Sequence, residues 1–114
     1  MSVIKTSDTA YVLMRKLVST TTALGANSTY TSSKQTVAGF SRLVGTVYAD
    51  QDGTLYVEQS SDGTNYDVTS SFNVTGGTGL GFSVEIVAPF ARIKYTNGAN
   101  AQTTFRLYAF GRTI

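Results

Sequence analysis

The 114-residue chain has no cysteine, no histidine and no tryptophan, a single proline at Pro89, and only 14% charged residues. Each absence excludes something. Without Cys there is no disulfide framework and no thiol nucleophile, and without His there is no Cys/His zinc site and no imidazole-based dyad or triad. The remaining chemistry rests on seven carboxylates, nine Lys and Arg, and the hydroxyls. That confines an enzyme to a carboxylate pair and a metal to oxygen ligands. The net charge of +2 falls short of the basic footprint of a phosphate-neutralising protein, so nucleic acid is not an expected partner. No apolar run approaches the roughly 20 residues of a membrane-spanning helix. Lys5 and Asp8 also interrupt the start too early for a signal peptide. A domain made in a cytoplasm, with no membrane partner, is expected.

What the chain does have is Ser, Thr, Gly and Asn around apolar residues that recur at period two. In Gly53–Asp67, GTLYVEQSSDGTNYD, Leu55 and Val57 alternate with Tyr56 and Glu58, and Ser61-Asp62-Gly63-Thr64 supplies a turn. This predicts a strand, a tight Asp-Gly turn and a return strand. Upstream, Leu43, Gly45, Val47 and Ala49 share one face and Phe40, Arg42, Val44, Thr46 and Tyr48 the other, so this strand is apolar on both sides. Asp50-Gln51-Asp52-Gly53 reads as a second hairpin turn, joining it antiparallel to 54–60. Downstream, Phe72 and Val74, then Phe82, Val84, Ile86 and Ala88, then Ala91, Ile93 and Tyr95, then Phe105, Leu107 and Ala109 form the inward sets. Asn97-Gly98 reads as a further hairpin turn, in a loop longer than two residues.

The first 18 residues differ. MSVIKTSDTAYVLMRKLV clumps its apolar residues at Tyr11–Met14 and Leu17–Val18. A short helix capped by Asp8 is conceivable, but Val12, Val18 and the hydroxyl-rich flank favour an extended segment, either an edge strand or an arm onto a neighbour. Its removal is expected to end attachment to a partner and spare the β fold. Segment 19–37 predicts a weak hairpin or a strand and a loop, turning at Gly25-Ala26-Asn27.

Reactive constellations are few. Asp50, Asp52, Asp62 and Asp67 would need to converge to hold Ca²⁺, but Asp before Gly serves turns, and the spacing lacks a calcium-loop ladder. GGTGLG at 76–81 carries no Lys and precedes a strand, which makes it a linker and not a phosphate loop. Glu58 and Glu85 show no sign of sharing a cleft, so no catalytic residue, metal or cofactor is assigned. Arg42, Arg92, Lys94 and Arg106 form either a basic stripe or, with the two Glu, a solvated mixed-charge face. Most informative are Tyr48, Tyr56, Tyr108 and Phe110, which lie opposite in parity to the core residues of their own strands. Tyr is common on wet sheet faces, but Val44 and Val87 share that parity, and a face this apolar is expected to be covered by another subunit or by a larger assembly.

These residues carry two resemblances. TLYVEQSSDGTNYD, PFARIKYTNG and TTFRLYAFGR, within Gly45–Arg112, resemble small jelly-roll proteins of tailed bacteriophages that act as capsid decoration, head-fibre or tail-associated parts. The S-x-D-G-x-x-Y turn followed by ARIKY is also similar to the discoidin-like sandwich, whose members bind sugars or lipids. This chain has Tyr66 where that family has Trp, and it is shorter. The first resemblance implies an all-β, antiparallel, jelly-roll-like sandwich of seven or eight short strands at 19–114 with an N-terminal arm at 1–18. It implies a non-enzymatic virion protein that forms a homo-oligomer, with a trimer favoured, and contacts the major capsid protein or another virion protein. Tyr11, Val12, Leu13, Met14, Tyr48, Tyr56, Tyr108 and Phe110 would supply the interface. The alternative is a carbohydrate-binding module whose outward tyrosines stack on glycan rings.

Overall fold

The period-two alternation resolves into strands throughout the computed structural model, which describes residues 2–5 and 11–114, with side chains from Leu13 onward. Among the described residues there is no helix. The strands are β1 Ser2–Lys5, β2 Tyr11–Thr20, β3 Thr29–Thr31, β4 Gln35–Thr36, β5 Arg42–Ala49, β6 Gly53–Ser60, β7 Val68–Val74, β8 Leu80–Glu85, β9 Phe90–Asn97 and β10 Phe105–Arg112. The ten exceed the seven or eight read from the sequence because the N-terminal stretch supplies two strands and the hydroxyl-rich segment breaks into two short ones.

Two antiparallel sheets face each other as a sandwich: sheet A in the order β1-β2-β10-β5-β8, and sheet B in the order β3-β9-β6-β7 with β4 also on β9. The pairs β2·β10, β3·β9, β5·β8 and β6·β7 are nested, so the chain folds back on itself as one long double ribbon whose apex is the loop between β6 and β7. This is a jelly-roll-like order. It corrects two expected hairpins. β5 and β6 lie in different sheets, as do β9 and β10, so Asp50–Gly53 and the loop after Asn97 are arches across the core. Only the Asp62-Gly63 stretch serves a true hairpin of sheet B, and its loop is longer than a two-residue turn, because Gln59 already pairs with Val68.

The inward faces meet as the alternation predicts. Leu43, Val47 and Ala49, Leu55 and Val57, Phe82 and Val84, Ala91, Ile93 and Tyr95, and Phe105, Leu107 and Ala109 are all buried in one core. Each fully buried Val, Leu, Ile or Phe side chain there contributes on the order of 1.5–3 kcal/mol. Aromatic contacts bridge the sheets: Tyr95 of β9 meets Phe105 of β10 at 4.8 Å between ring centroids, and Phe72 of β7 meets Phe82 of β8 at 6.0 Å. The buried amide of Gln59 ties sheet B to the end of β8, donating to Glu85 O and accepting from Val87 N, both at 2.9 Å. Its polar atoms are thereby satisfied where burial would otherwise be costly.

The N-terminal stretch is extended, as favoured from sequence, and Asp8 lies outside the described residues. β2 pairs on both sides, with β1 and, from Met14 to Thr20, with β10. The boundary drawn at residue 18 therefore falls inside a strand, and Val18 is only 5% exposed in the core. Removing residues 1–18 would strip one flank of β10, so the fold is not expected to survive intact, contrary to the reading from sequence alone. In the 19–37 segment the expected turn is present: Asn27 takes a φ of 59° and donates from its N–H to Gly98 O at 2.8 Å.

Candidate functional site

Ladder partners share a face, so register places the outward side chains of sheet A in rows. One row is Met14, Arg112, Arg42 and Glu85; the next is Lys16, Phe110, Val44 and Ser83; the next is Ser19, Tyr108, Thr46 and Gly81; Arg106 and Tyr48 follow. Rows from residue 42 to residue 48 of β5 extend over roughly 20 Å. Along this face runs a trough floored by Gly45, Thr46 and Gly81. A stretch of about 390 Å³ is walled by Met14, Phe110 and Arg112, and a stretch of about 230 Å³ by Tyr48, Tyr108 and Arg106. Gly45 is glycine for close approach: a Cβ there would lie 2.6 Å from the Phe82 ring.

The trough combines apolar surface with positive charge. Phe110, Tyr108 and Tyr48 are half-buried, Val44 is buried beneath this face, and Met14 is 40% exposed. Lys16, Arg42, Arg106 and Arg112 stand against the single carboxylate of Glu85 among the described side chains of these rows. Arg106 stacks over the Tyr48 ring at 4.6 Å, and Arg42 Nε donates to Ser83 Oγ at 2.6 Å. Arg112 Nε is buried without a hydrogen-bond partner. Such a surface suits a partner that is negative and partly apolar.

Sheet B's outer face is different. Thr29, Thr96, Thr54 and Asn73 form one row and Thr31, Lys94, Tyr56 and Ser71 the next. Arg92 faces Glu58 with Nε 2.6 Å from Oε1, and its guanidinium lies 3.9 Å over the Tyr66 ring. The supposed basic stripe is thus divided: Arg42 and Arg106 belong to sheet A, Arg92 and Lys94 to sheet B. The aromatic set divides likewise, because Tyr48, Tyr108 and Phe110 share sheet A's outer face while Tyr56 stands on sheet B's. Met14 borders the trough on β2, whereas Leu13, its neighbour of opposite parity, does not line it; the side chains of Tyr11 and Val12 lie outside the described ones.

Lys16 and Arg112 were not singled out by sequence reasoning. Arg112 was legible, since it continues the parity of Arg106, Tyr108 and Phe110. Lys16 was not, because a bulge shifts the β2 register: Ala109 opposes Val18 while Phe110 opposes Lys16. Two residues of equal sequence parity therefore face opposite sides.

The acidic turns do not converge. Asp50 and Asp52 lie in the arch before β6 and Asp62 in the loop after it, at opposite ends of that strand. Asp50 accepts from Thr103 Oγ1 at 2.6 Å and from the N–H groups of Thr103 and Thr104, which holds its carboxyl down to about 2. Asp62 accepts from the N–H groups of Asn65 and Thr64, from the Asn65 amide and from Ser60 Oγ, and is held well below the usual carboxylate range. Gly63 beside it takes a φ of 81°. Both carboxylates are engaged in turn chemistry, and no group of three Asp or Glu placed to hold a metal occurs among the described residues.

Comparison with known proteins places the fold. The family model described as the uncharacterised protein YqxG N-terminal domain matches residues 6–111. YqxG of Bacillus subtilis (strain 168) is 33% identical over 94 residues, covering 78% of this chain and 31% of that protein. The phage-like element PBSX protein XepA of the same organism is 32% identical over 93 residues, covering 78% of this chain and 33% of its own. The chain thus spans about a third of the length of these curated relatives. The crystal structure of PBSX exported protein XepA superposes with a TM-score of 0.77 at 30% identity, over 87% of this chain and 36% of that one. A subunit of Bacillus endospore appendages, described as disulfide-linked pili, superposes with a TM-score of 0.59 over 90% of this chain and 88% of its own; at 16% identity the likeness is one of fold. This chain has no cysteine with which to form such links. The chain belongs to the YqxG N-terminal domain family, one of whose relatives is a protein of a phage-like element.

Proposed function

As a member of that family, this chain is, we propose, a non-enzymatic structural domain of a phage or phage-like particle, of the decoration or head-fibre type. It works through contact with a second particle protein and with copies of itself, at a virion-associated or extracellular location. The observation that carries the reading is the outer face of sheet A, where Phe110, Tyr108, Tyr48 and Met14 lie among Lys16, Arg42, Arg106 and Arg112 with Glu85 as the opposing charge. Sheet B's hydroxyl-rich face also sets cations on rings, Arg92 over Tyr66, Lys94 beside Tyr56 and Lys34 over Phe90, but there Arg92 is already paired with Glu58. The relative XepA supports the particle setting, being a phage-like element protein described as exported. The β1–β2 hairpin, beside the trough's Met14 edge, is the second element proposed to reach the partner.

The test is co-sedimentation of the purified protein with particles of its source element. A variant carrying Arg42→Glu, Arg106→Glu and Phe110→Ser should lose co-sedimentation while keeping its melting temperature. Undiminished sedimentation of that variant refutes the outer-face contact. Wild-type protein that ignores particles yet binds a defined glycan, with binding lost in Tyr108→Ala, establishes the carbohydrate-binding alternative instead.

A further inference from the structure

A glycine inside a strand, where no packing need explains it, marks a place that another backbone or a ligand approaches closely. Gly81 is such a residue. It lies within β8 with its parity outward, it is exposed, and it is not among the glycines with positive φ. A Cβ built on it would meet nothing nearer than Gly45 O at 4.0 Å. Backbone and packing would therefore both accept a side chain here. The absence of one keeps the trough open, because Gly81 floors both the stretch of about 390 Å³ and the stretch of about 230 Å³.

The cations beside that floor lack partners of their own. Arg42 and Arg112 oppose each other across the ladder, and like charges set directly opposite on an antiparallel pair are unfavourable. Glu85 opposes Arg42 on its other side, yet the one ion pair among the described residues joins Arg92 to Glu58. Arg112 also keeps its Nε buried without an acceptor. An anion from outside relieves both conditions.

The spacing of the rows indicates what carries that anion. From Arg112, β10 places Phe110 two residues away, at the apolar stretch it shares with Val44 and Met14, and Arg106 six residues away. At about 3.4 Å per residue these steps are roughly 7 and 20 Å. An extended chain lying along the strand has the same rise, so the side chains of its one face fall in step with the rows. A lone anion has no such repeat.

We infer that the trough binds an extended acidic segment of the partner protein. One carboxylate of the segment lies between Arg42 and Arg112, an apolar side chain two residues from it packs against Phe110, and a second carboxylate six residues from the first meets Arg106. Gly81 lets the backbone of the segment approach the sheet. This rests on the proposed function and names the chemistry of the partner.

Short peptides test it on the intact protein. The probe is a labelled peptide with two glutamates six residues apart and a phenylalanine two residues from one of them, made in both chain directions and read by fluorescence anisotropy at low salt. The wild type should bind one direction at submillimolar concentration. Changing both glutamates to glutamine should weaken binding roughly tenfold or more, as should Arg112→Gln. Gly81→Val should abolish binding while the melting temperature holds or rises, since valine suits a strand and fills the floor. Lys94→Gln, on sheet B, should bind as the wild type does. No binding of either peptide by the wild type, equal binding of the glutamine peptide, or full binding by Gly81→Val or Arg112→Gln overturns the inference. The proposed function survives that result if particles still bind the wild type and not the charge-reversal variant. Particles that retain the charge-reversal variant refute the proposed function itself.

Discussion

The ring of Tyr95 occupies the space that a side chain on Gly53 would need: a Cβ built on Gly53 would lie 2.6 Å from the ring's Cζ. Gly53 reads as a turn glycine, yet it is the first residue of β6 and is not among the glycines with positive φ. Its lack of a side chain serves packing. Tyr95 is fully buried, its hydroxyl has no hydrogen-bond partner, and burial, with the Asp52 charge second, pushes its phenol up to about 12. Gly53→Ala is expected to cost about 1–3 kcal/mol by overpacking. Tyr95→Phe, which removes an unsatisfied group, should be neutral or stabilising by up to about 1 kcal/mol. Urea titrations of both check this, and a clear loss in Tyr95→Phe would reveal a partner for the hydroxyl.

Acid should weaken the Asp50 arch and the β6–β7 hairpin loop that holds Asp62. Their folded-state values lie below the usual carboxylate range because of hydrogen bonds that the unfolded chain lacks. Their contribution is therefore complete above the unfolded value near pH 4 and is lost as pH falls through the folded one, which for Asp50 is about 2. Asp50→Asn and Asp62→Asn should each be less stable than the wild type at pH 7, with the difference shrinking between roughly pH 4 and pH 2. A difference that does not change with pH would rule out these hydrogen bonds as its source.

On sheet B, Glu58 and Arg92 oppose each other across the ladder, and their side chains are 13% and 34% exposed. Glu58→Gln is expected to cost about 1 kcal/mol, discounted for the exposure of Arg92, with the difference narrowing in 1 M salt. Arg92→Lys should cost a similar amount, because an ammonium cannot both pair with Glu58 and stack flat on Tyr66. Thermal melts at low and high salt decide it.

Truncation separates the two halves of the N-terminal stretch. Removing residues 1–10 leaves the β2·β10 ladder whole and should preserve a cooperative melt. Removing residues 1–18 leaves β10 unflanked on one side and takes Val18 from the core, and it should abolish cooperative unfolding or lower its midpoint sharply. Equal melting of the two truncations would mean that β2 contributes nothing to the sandwich.

Much of the molecule was legible from side-chain alternation. Leu43, Val47, Leu55, Val57, Phe82, Ile93, Phe105 and Leu107 were assigned inward on period two alone, and all are buried. The outward parity of Tyr48, Tyr108 and Phe110 was legible for the same reason. What failed was the reading of Asp52-Gly53 and Asn97-Gly98 as hairpins. Asn97 is 2% exposed, and its amide donates to the carbonyls of Gly25 and Asn100, both at 2.9 Å, as a strut inside an arch. A dipeptide that permits a tight turn does not require one.

The sequence by itself determined an all-β chain with one apolar face per strand, no thiol or imidazole chemistry, and an aromatic surplus on outward positions. Those properties are local: they follow from residue type and from the two-residue repeat of an extended backbone. Only the tertiary structure decided which outward faces combine. Alternation is the same whether consecutive strands pair within one sheet or face each other across a core, so it cannot place Tyr48 and Tyr56 on the same surface or on opposite ones. The nested pairing of β2 with β10, β5 with β8 and β6 with β7 put them on opposite ones. It gathered the cations and rings of β2, β5 and β10 into a trough.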